Sequence, residues 1–277
     1  ILEAAQVVKQ HPNLYAIFLT HHGCGPDTVF THYFKEIMGD KPYLNIEVDE
    51  HSSGVGVVTR IEAFINSLSK ISVGKVDDMA VYADRIPHEP VNIKCALSGL
   101  DSGATLYLPH MYPYSEIFRD ILTKQQINAK VLPPTGSASL ERGRRHTITN
   151  EYLSLTALLG DVFEKIAELN DIDGGIRDGV AFLIPQTEGT EVDGQYCRLL
   201  RTELDGEGFS NVDIVAPFIE DMLYERGGDN LKLIYLGLLA GDLVRIAPSK
   251  RRGDYLDKIL HLINSDSLDV TALVDIS

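Results

Sequence analysis

Two short stretches concentrate the residues of this chain that could do chemistry. The first, Thr20-His21-His22-Gly23-Cys24-Gly25-Pro26-Asp27, comes after the apolar run Leu14-Tyr15-Ala16-Ile17-Phe18-Leu19. A strand running into a glycine-flanked cysteine and then Pro-Asp reads as strand, tight turn and helix start, because Pro suits the first helical position and Asp the first turn. Glycines at 23 and 25 permit unusual backbone angles and the close approach of another group. The predicted turn sets the Cys24 thiol near the positive end of a helix, where its thiolate is favoured. Such a thiolate suits an iron–sulfur cluster or a reactive carbonyl; equally, the cysteine is a small buried residue in a strand–helix corner. The second stretch, Asp49-Glu50-His51-Ser52, puts two acids and an imidazole beyond another apolar strand, a set suited to proton transfer. Its plainer reading is that Glu50 or Ser52 caps the next helix while His51 bonds to a neighbouring loop.

Other groups invite weaker readings. His21, His22 and His32, with Cys24 and His51, are candidates for a transition-metal site, and imidazole plus thiolate suits zinc. No second pair has zinc spacing, however. Gly54-Val55-Gly56 supports an anion-approaching loop but lacks the dinucleotide fingerprint. Arg142, Arg144, Arg145 and His146 form a basic island that could meet phosphates or a partner's acids, or be a solvated helix face. Lys250-Arg251-Arg252 is read in the same two ways. Asp171-Ile172-Asp173-Gly174-Gly175 breaks the calcium-loop ligand pattern at once. The chain carries no Gly-x-x-x-x-Gly-Lys-Ser/Thr phosphate loop and no Gly-x-Ser-x-Gly elbow, so neither a P-loop ATPase nor a serine hydrolase is indicated.

The elements that must position these groups read as α/β. Helices are predicted at about 1–10, 27–38, 56–69, 114–125, 140–145, 152–168, 194–205, 219–225, 230–246 and 254–264. Strands are predicted at 14–20, 43–48, 104–108, 129–132, 180–184 and 212–216, with a short one within 92–96. Alternation of apolar runs with amphipathic helices is the pattern of mainly parallel sheets. The expected organisation is a first Rossmann-like lobe at 1–71, a crossing at 72–103, a second Rossmann-like lobe at 104–228 and a C-terminal helical tail at 229–277. A net charge of −15 argues against a nucleic-acid binder, and no apolar run reaches the ~20 residues that span a bilayer. Three cysteines do not suggest a disulfide framework, so a cytoplasmic, reducing setting is expected. The chain begins at Ile1 without methionine and enters directly into a helical pattern, which reads as a piece of a longer polypeptide.

Phe18 to Asp27 together with Asn45 to Ala63, which contains Asp49-Glu50-His51-Ser52-Ser53-Gly54-Val55-Gly56, resembles the 2-hydroxyacyl-CoA dehydratase superfamily. More narrowly, it is similar to the C-terminal region of the large activators of (R)-2-hydroxyglutaryl-CoA dehydratase, the acyl-CoA dehydratase activase-related proteins. Gly143-Arg144-Arg145-His146-Thr147, Gly194-Gln195-Tyr196 and Gly241-Asp242-Leu243-Val244-Arg245 extend the similarity in order along nearly the whole chain.

The resemblance implies two Rossmann-like lobes holding one four-iron four-sulfur cluster through three cysteines, in a system where electrons arrive singly after ATP hydrolysis by a separate activase module. Cys24 matches the first ligand, whereas Tyr152 and Glu191 stand at the positions of the other two. A phenol and a carboxylate replace thiolates poorly. The expectation is therefore a dehydratase-like domain with a degenerate cluster site, marked by Cys24, Tyr152 and Glu191 and lined by His21, His22, Gly23, Gly25, Asp49, Glu50, His51, Arg144 and Arg145. It would scaffold or regulate by docking other modules of its own polypeptide or a dehydratase partner, with no ATP site of its own. Two alternatives stand beside it: a working redox or lyase domain whose cluster is held by Cys24 and non-cysteine or partner-chain ligands, and a module binding a CoA thioester.

Overall fold

The computed structural model describes residues 1–21, 26–70, 93–147, 152–173, 179–187, 192–218 and 228–276. Contacts divide the chain into two units. One comprises Ile1–Glu89 with Thr147–Leu153 and Thr190–Val192, the other Pro90–His146 with Ser154–Gly189 and Asp193–Ser277.

The first unit opens with α1 (Leu2–Gln10), β1 (Ile17–Thr20), α2 (Pro26–Met38), β2 (Leu44–Glu47) and α3 (Gly54–Leu68). Pro26 and Asp27 do begin α2, as their preferences for the first turn dictate. β1 and β2 form a two-stranded parallel sheet. Phe18 stacks on Phe34 with ring centroids 4.7 Å apart, and both join Ala5 and Met38 in a small core. The outer face of β1 leaves Ile17 and Leu19 exposed, and α3, although rich in Val, Ile and Phe, has no fully buried residue.

The second unit is built on five parallel strands: β3 (Ile93–Lys94), β4 (Thr105–Leu108), β5 (Asn128–Val131), β6 (Val180–Leu183) and β7 (Asp213–Val215), in the order β3-β7-β6-β4-β5. β4 and β6 are buried almost throughout, which is why they read as unbroken apolar runs. The connections are α4 (Tyr114–Lys124) from β4 to β5, α5 (Ser137–Gly143) and α6 (Leu153–Asp173) from β5 to β6, and α7 (Tyr196–Gly206) from β6 to β7. The chain thus leaves β4 toward one edge and β6 toward the other, which places the topological switch between their carboxyl ends.

Three further helices, α8 (Gly228–Ile246), α9 (Arg252–Asn264) and α10 (Val270–Ile276), share one core with α4. Tyr114 locks α4 to α8: its ring lies against Gly241, its hydroxyl donates to Asp242 Oδ1 at 2.5 Å, and Arg245 stands 6.0 Å over the ring. Arg201 is enclosed beneath α7, where it donates to the carbonyls of Val212 at 2.5 Å and Phe209 at 2.9 Å and pairs with Asp205. These bonds fix the turn that leads into β7.

Several predicted boundaries shift. β1 begins at Ile17 rather than residue 14, α5 begins at Ser137 rather than 140, and α6 continues through Asp171 and Asp173 instead of stopping near 168. The predicted helix at 219–225 and most of the predicted crossing lie outside the described residues.

Candidate functional site

In the first unit Ile17 pairs with Leu44 and Thr20 with Glu47. Beyond the last pair the Val48 amide donates to the Thr20 carbonyl at 2.9 Å. The two strands that precede the sequence motifs therefore end at the same level of one sheet. The His21 amide donates to Asp27 Oδ2 at 2.8 Å, so the first turn of α2 reaches back to the end of β1. His21 is exposed, and His22, Gly23, Cys24 and Gly25 lie outside the described residues. His32 is buried in α2, edge-on to Tyr33 with centroids 5.9 Å apart.

The second motif closes on itself. Asp49 Oδ1 accepts the His51 amide at 2.8 Å and the Ser52 hydroxyl at 2.7 Å, while Ser52 Oγ accepts the Asp49 amide at 2.8 Å. This corrects the expectation that Glu50 or Ser52 caps the next helix. The N-cap of α3 is Ser53, without a side-chain cap bond, because Asp and Ser side chains this close satisfy local backbone donors first. Glu50 and His51 are both largely exposed and stand 3.8 Å apart, beyond hydrogen-bond length. Of the three titratable groups of the motif, Asp49 is committed to the turn and His51 is presented to solvent.

A shallow cleft of about 330 Å³ lies between the end of β2 and the start of α3, with Glu47, Asp49, Ser52, Gly56 and Arg60 among its lining residues. Nothing stands within 4 Å of where a side chain would begin at Gly54 or Gly56, so a ligand can approach this turn of helix closely. Arg60 brings a cation to the same cleft as Glu47 and Asp49, an arrangement able to orient a small polar molecule carrying both charge types. Sequence reasoning missed Arg60. Its signal was a lone cation nearly two turns into a helix rich in Val and Ile.

The remaining predicted positions fall elsewhere. Tyr152 is 38% exposed just ahead of α6, and Glu191 lies outside the described residues. Cys95 is exposed immediately after β3. Cys197 faces the core of the second unit, its thiol pointing to Gln186 Oε1 at 3.5 Å, and burial holds its pKa above the ordinary thiol value. Among the described residues no three His, Cys, Asp or Glu side chains come together closely enough to hold a metal ion. No described helix is long and apolar enough to cross a membrane.

The basic island is mostly neutralised within the unit. Arg142 Nε donates to Glu164 Oε2 at 2.7 Å, Arg145 stands 3.6 Å from Glu141, and His146 Nδ1 lies 3.0 Å from Glu203 Oε2 with its ring stacked on Phe163. Among the described residues Arg144 alone of the four has no such partner and faces solvent. Gly143 has a packing role: a Cβ there would overlap the Thr156 carbonyl, just as one at Gly160 would overlap that of Ser139. Gly194 likewise lies close to the Thr187 carbonyl, and the Tyr196 and Ser154 hydroxyls bond at 2.8 Å. At the switch between β4 and β6, His110 Nδ1 stands 3.9 Å from Glu116 Oε1, and Glu116 Oε2 is buried with no hydrogen-bond partner among the described residues. Compared with family models, curated proteins and solved structures, the chain finds no significant match.

Proposed function

We propose that this chain is a 2-hydroxyacyl-CoA dehydratase-like domain of an activator-type protein, built from two Rossmann-like lobes, whose ancestral iron–sulfur site is degenerate and whose role is to scaffold or regulate. The observation that supports the reading is that β1 and β2, the strands preceding its two most specific motifs in sequence, are adjacent and parallel. The Gly-Cys-Gly-Pro-Asp and Asp-Glu-His-Ser segments follow these strands in sequence, and the Val48–Thr20 bond holds the two strand ends level. Segments that shared a site in an ancestor would stand this way, since in open parallel sheets ligands gather at the carboxyl ends of the strands.

The donor set supports degeneracy. A four-iron cluster is ordinarily held by thiolates. The aligned positions here offer one cysteine, Cys24, beside Tyr152 and Glu191, and both replacements are hard oxygen donors. Cys197 is no substitute, because its thiol is enclosed by the core and that burial disfavours the thiolate. No redox step is assigned to the domain on this set. Its function is then carried by surfaces: the motif edge, the cleft beside Arg60, and docking of other modules of the polypeptide or of a dehydratase partner.

Iron and acid-labile sulfide, measured after anaerobic reconstitution of the chain and of Cys24→Ala, test this directly. The expected result is no stoichiometric cluster in either protein. A visible-absorbing cluster at one per chain that disappears in Cys24→Ala would overturn the degenerate reading and make the domain a redox centre with oxygen or partner-chain ligands.

A further inference from the structure

Two of the three cysteines stand on one face of the second unit's sheet. Lys94 pairs in register with Val215, so the two share a face, and Val215 lies in the core with Leu122 of α4. Cys95 follows Lys94 and by strand alternation turns to the opposite face. Helix α7 belongs to that opposite face. The crossover from β6 to β7 runs the other way across the sheet from the one that carries α4, and parallel crossovers are right-handed. Cys197 stands in the first turn of α7, which packs against β3. A chain of bonds joins the two positions. The Ala216 amide donates to the Lys94 carbonyl at 2.8 Å, Gln186 Nε2 donates to the Ala216 carbonyl, and the Cys197 thiol donates to Gln186 Oε1 at 3.5 Å. Burial is the largest cause of the raised Cys197 pKa, and a negative charge at Cys95 adds to it, so the two sulfurs lie within electrostatic reach. Their settings are unequal: Cys95 is exposed at the end of the edge strand, whereas Cys197 is 2% exposed. An oxidant meets the first and is kept from the second.

We propose that Cys95 and Cys197 form a reversible oxidation site, in which a hydroperoxide oxidises Cys95 and Cys197 resolves it to an intrachain disulfide. The Cys95 thiolate attacks one oxygen of the O–O bond, the other oxygen leaves as hydroxide or alkoxide, and a sulfenic acid remains on Cys95. The Cys197 sulfur then attacks the Cys95 sulfur, the S–O bond breaks, and the departing hydroxide takes up the Cys197 proton as water. Two electrons have passed from the thiols to the peroxide, and an external thiol returns them. The bond ties the two-residue strand β3 to α7, so oxidation fastens an edge strand that only β7 holds in the sheet.

Cys24→Ala leaves Cys95 and Cys197 as the only thiols of the full chain. This variant, treated with hydrogen peroxide, unfolded in alkylating reagent and digested without reductant, should lose both thiols together, stay monomeric, and give one linked pair of peptides containing Cys95 and Cys197. Dithiothreitol should restore both thiols, and the unmodified chain should yield the same linked pair. With Cys95→Ser added, Cys197 should keep its thiol under the same treatment. With Cys197→Ala added instead, Cys95 should accumulate as a sulfenic acid that dimedone traps. The Ala216 amide should exchange with solvent more slowly in the oxidised chain. Oxidation of Cys95 beyond the sulfenic acid while Cys197 stays a free thiol overturns the proposal. So do a disulfide found only between chains, two thiols that survive the peroxide, and exchange at Ala216 that oxidation leaves unchanged.

Discussion

A thiol in the core of a parallel α/β unit behaves as a small apolar residue, and at Cys197 this makes stability depend on pH. Burial disfavours its thiolate, so its folded pKa stands above that of the unfolded chain. Below about pH 8.5, the ordinary thiol value, both states hold the proton and the group adds no pH dependence. Above it the unfolded chain releases the proton while the folded chain keeps it, so stability falls as pH rises. Urea unfolding midpoints at pH 7, 8, 9 and 10 should therefore drop more steeply above pH 8.5 for the unmodified chain than for Cys197→Ala. Parallel slopes would refute the assignment, whatever the offset caused by the smaller side chain. The exposed Cys95 is common to both proteins and cancels. Cysteine spacing alone gave no sign of these different settings, since exposure is decided by strand pairing and helix packing far along the chain.

Elements were legible where one local pattern decided them. β4 and β6 stood out as apolar runs because the sheet buries both their faces, and α2 announced its start through Pro26 and Asp27. The start of α5 was obscured because Ser137 and Ser139 look like loop residues, although Ser139 is buried and donates to Asp161. Nor could local pattern find the partners of Gly143 and Gly160, which lie on different helices. Each admits a carbonyl from the other helix, Thr156 against Gly143 and Ser139 against Gly160, so α5 and α6 approach closely through this pair. The glycine of the Gly-Arg-Arg-His segment thus serves helix packing, and the same crossing brings Arg142 to Glu164. Gly143→Ala forces a backbone shift, and overpacking of that kind costs roughly 1–3 kcal/mol. Chemical denaturation should show that loss for Gly143→Ala and Gly160→Ala, and under about 0.5 kcal/mol for Arg144→Ala, whose side chain is exposed. Equal, small losses for all three would mean that α5 and α6 are not closely packed.

At the scale of the whole molecule, the two units differ in how their strands are protected. The second has five paired strands with Leu106, Ala181, Phe182 and Ile214 fully enclosed, and three C-terminal helices joined to α4. Among its described residues the first has two strands, a small core that includes Phe18, Phe34, Met38 and Ile46, and a third helix with no fully buried residue. Small sheets of two strands are marginal by themselves, and local opening is easiest where few apolar contacts resist it. The motif edge and the cleft beside Arg60 therefore sit on the less protected unit, a placement suited to a surface that adjusts to a partner. Hydrogen exchange read by mass spectrometry should find amides of β4 and β6 slowest, approaching the global unfolding limit, and those of α3 exchanging faster by several orders of magnitude. Because exchange reports opening rather than average position, the contrast should persist at every protein concentration if α3 is uncovered in the isolated chain. Protection of α3 equal to that of β4 would contradict this and mean that its valines and isoleucines are covered. Protection gained only on adding a dehydratase partner would identify that face as the one through which the first unit docks.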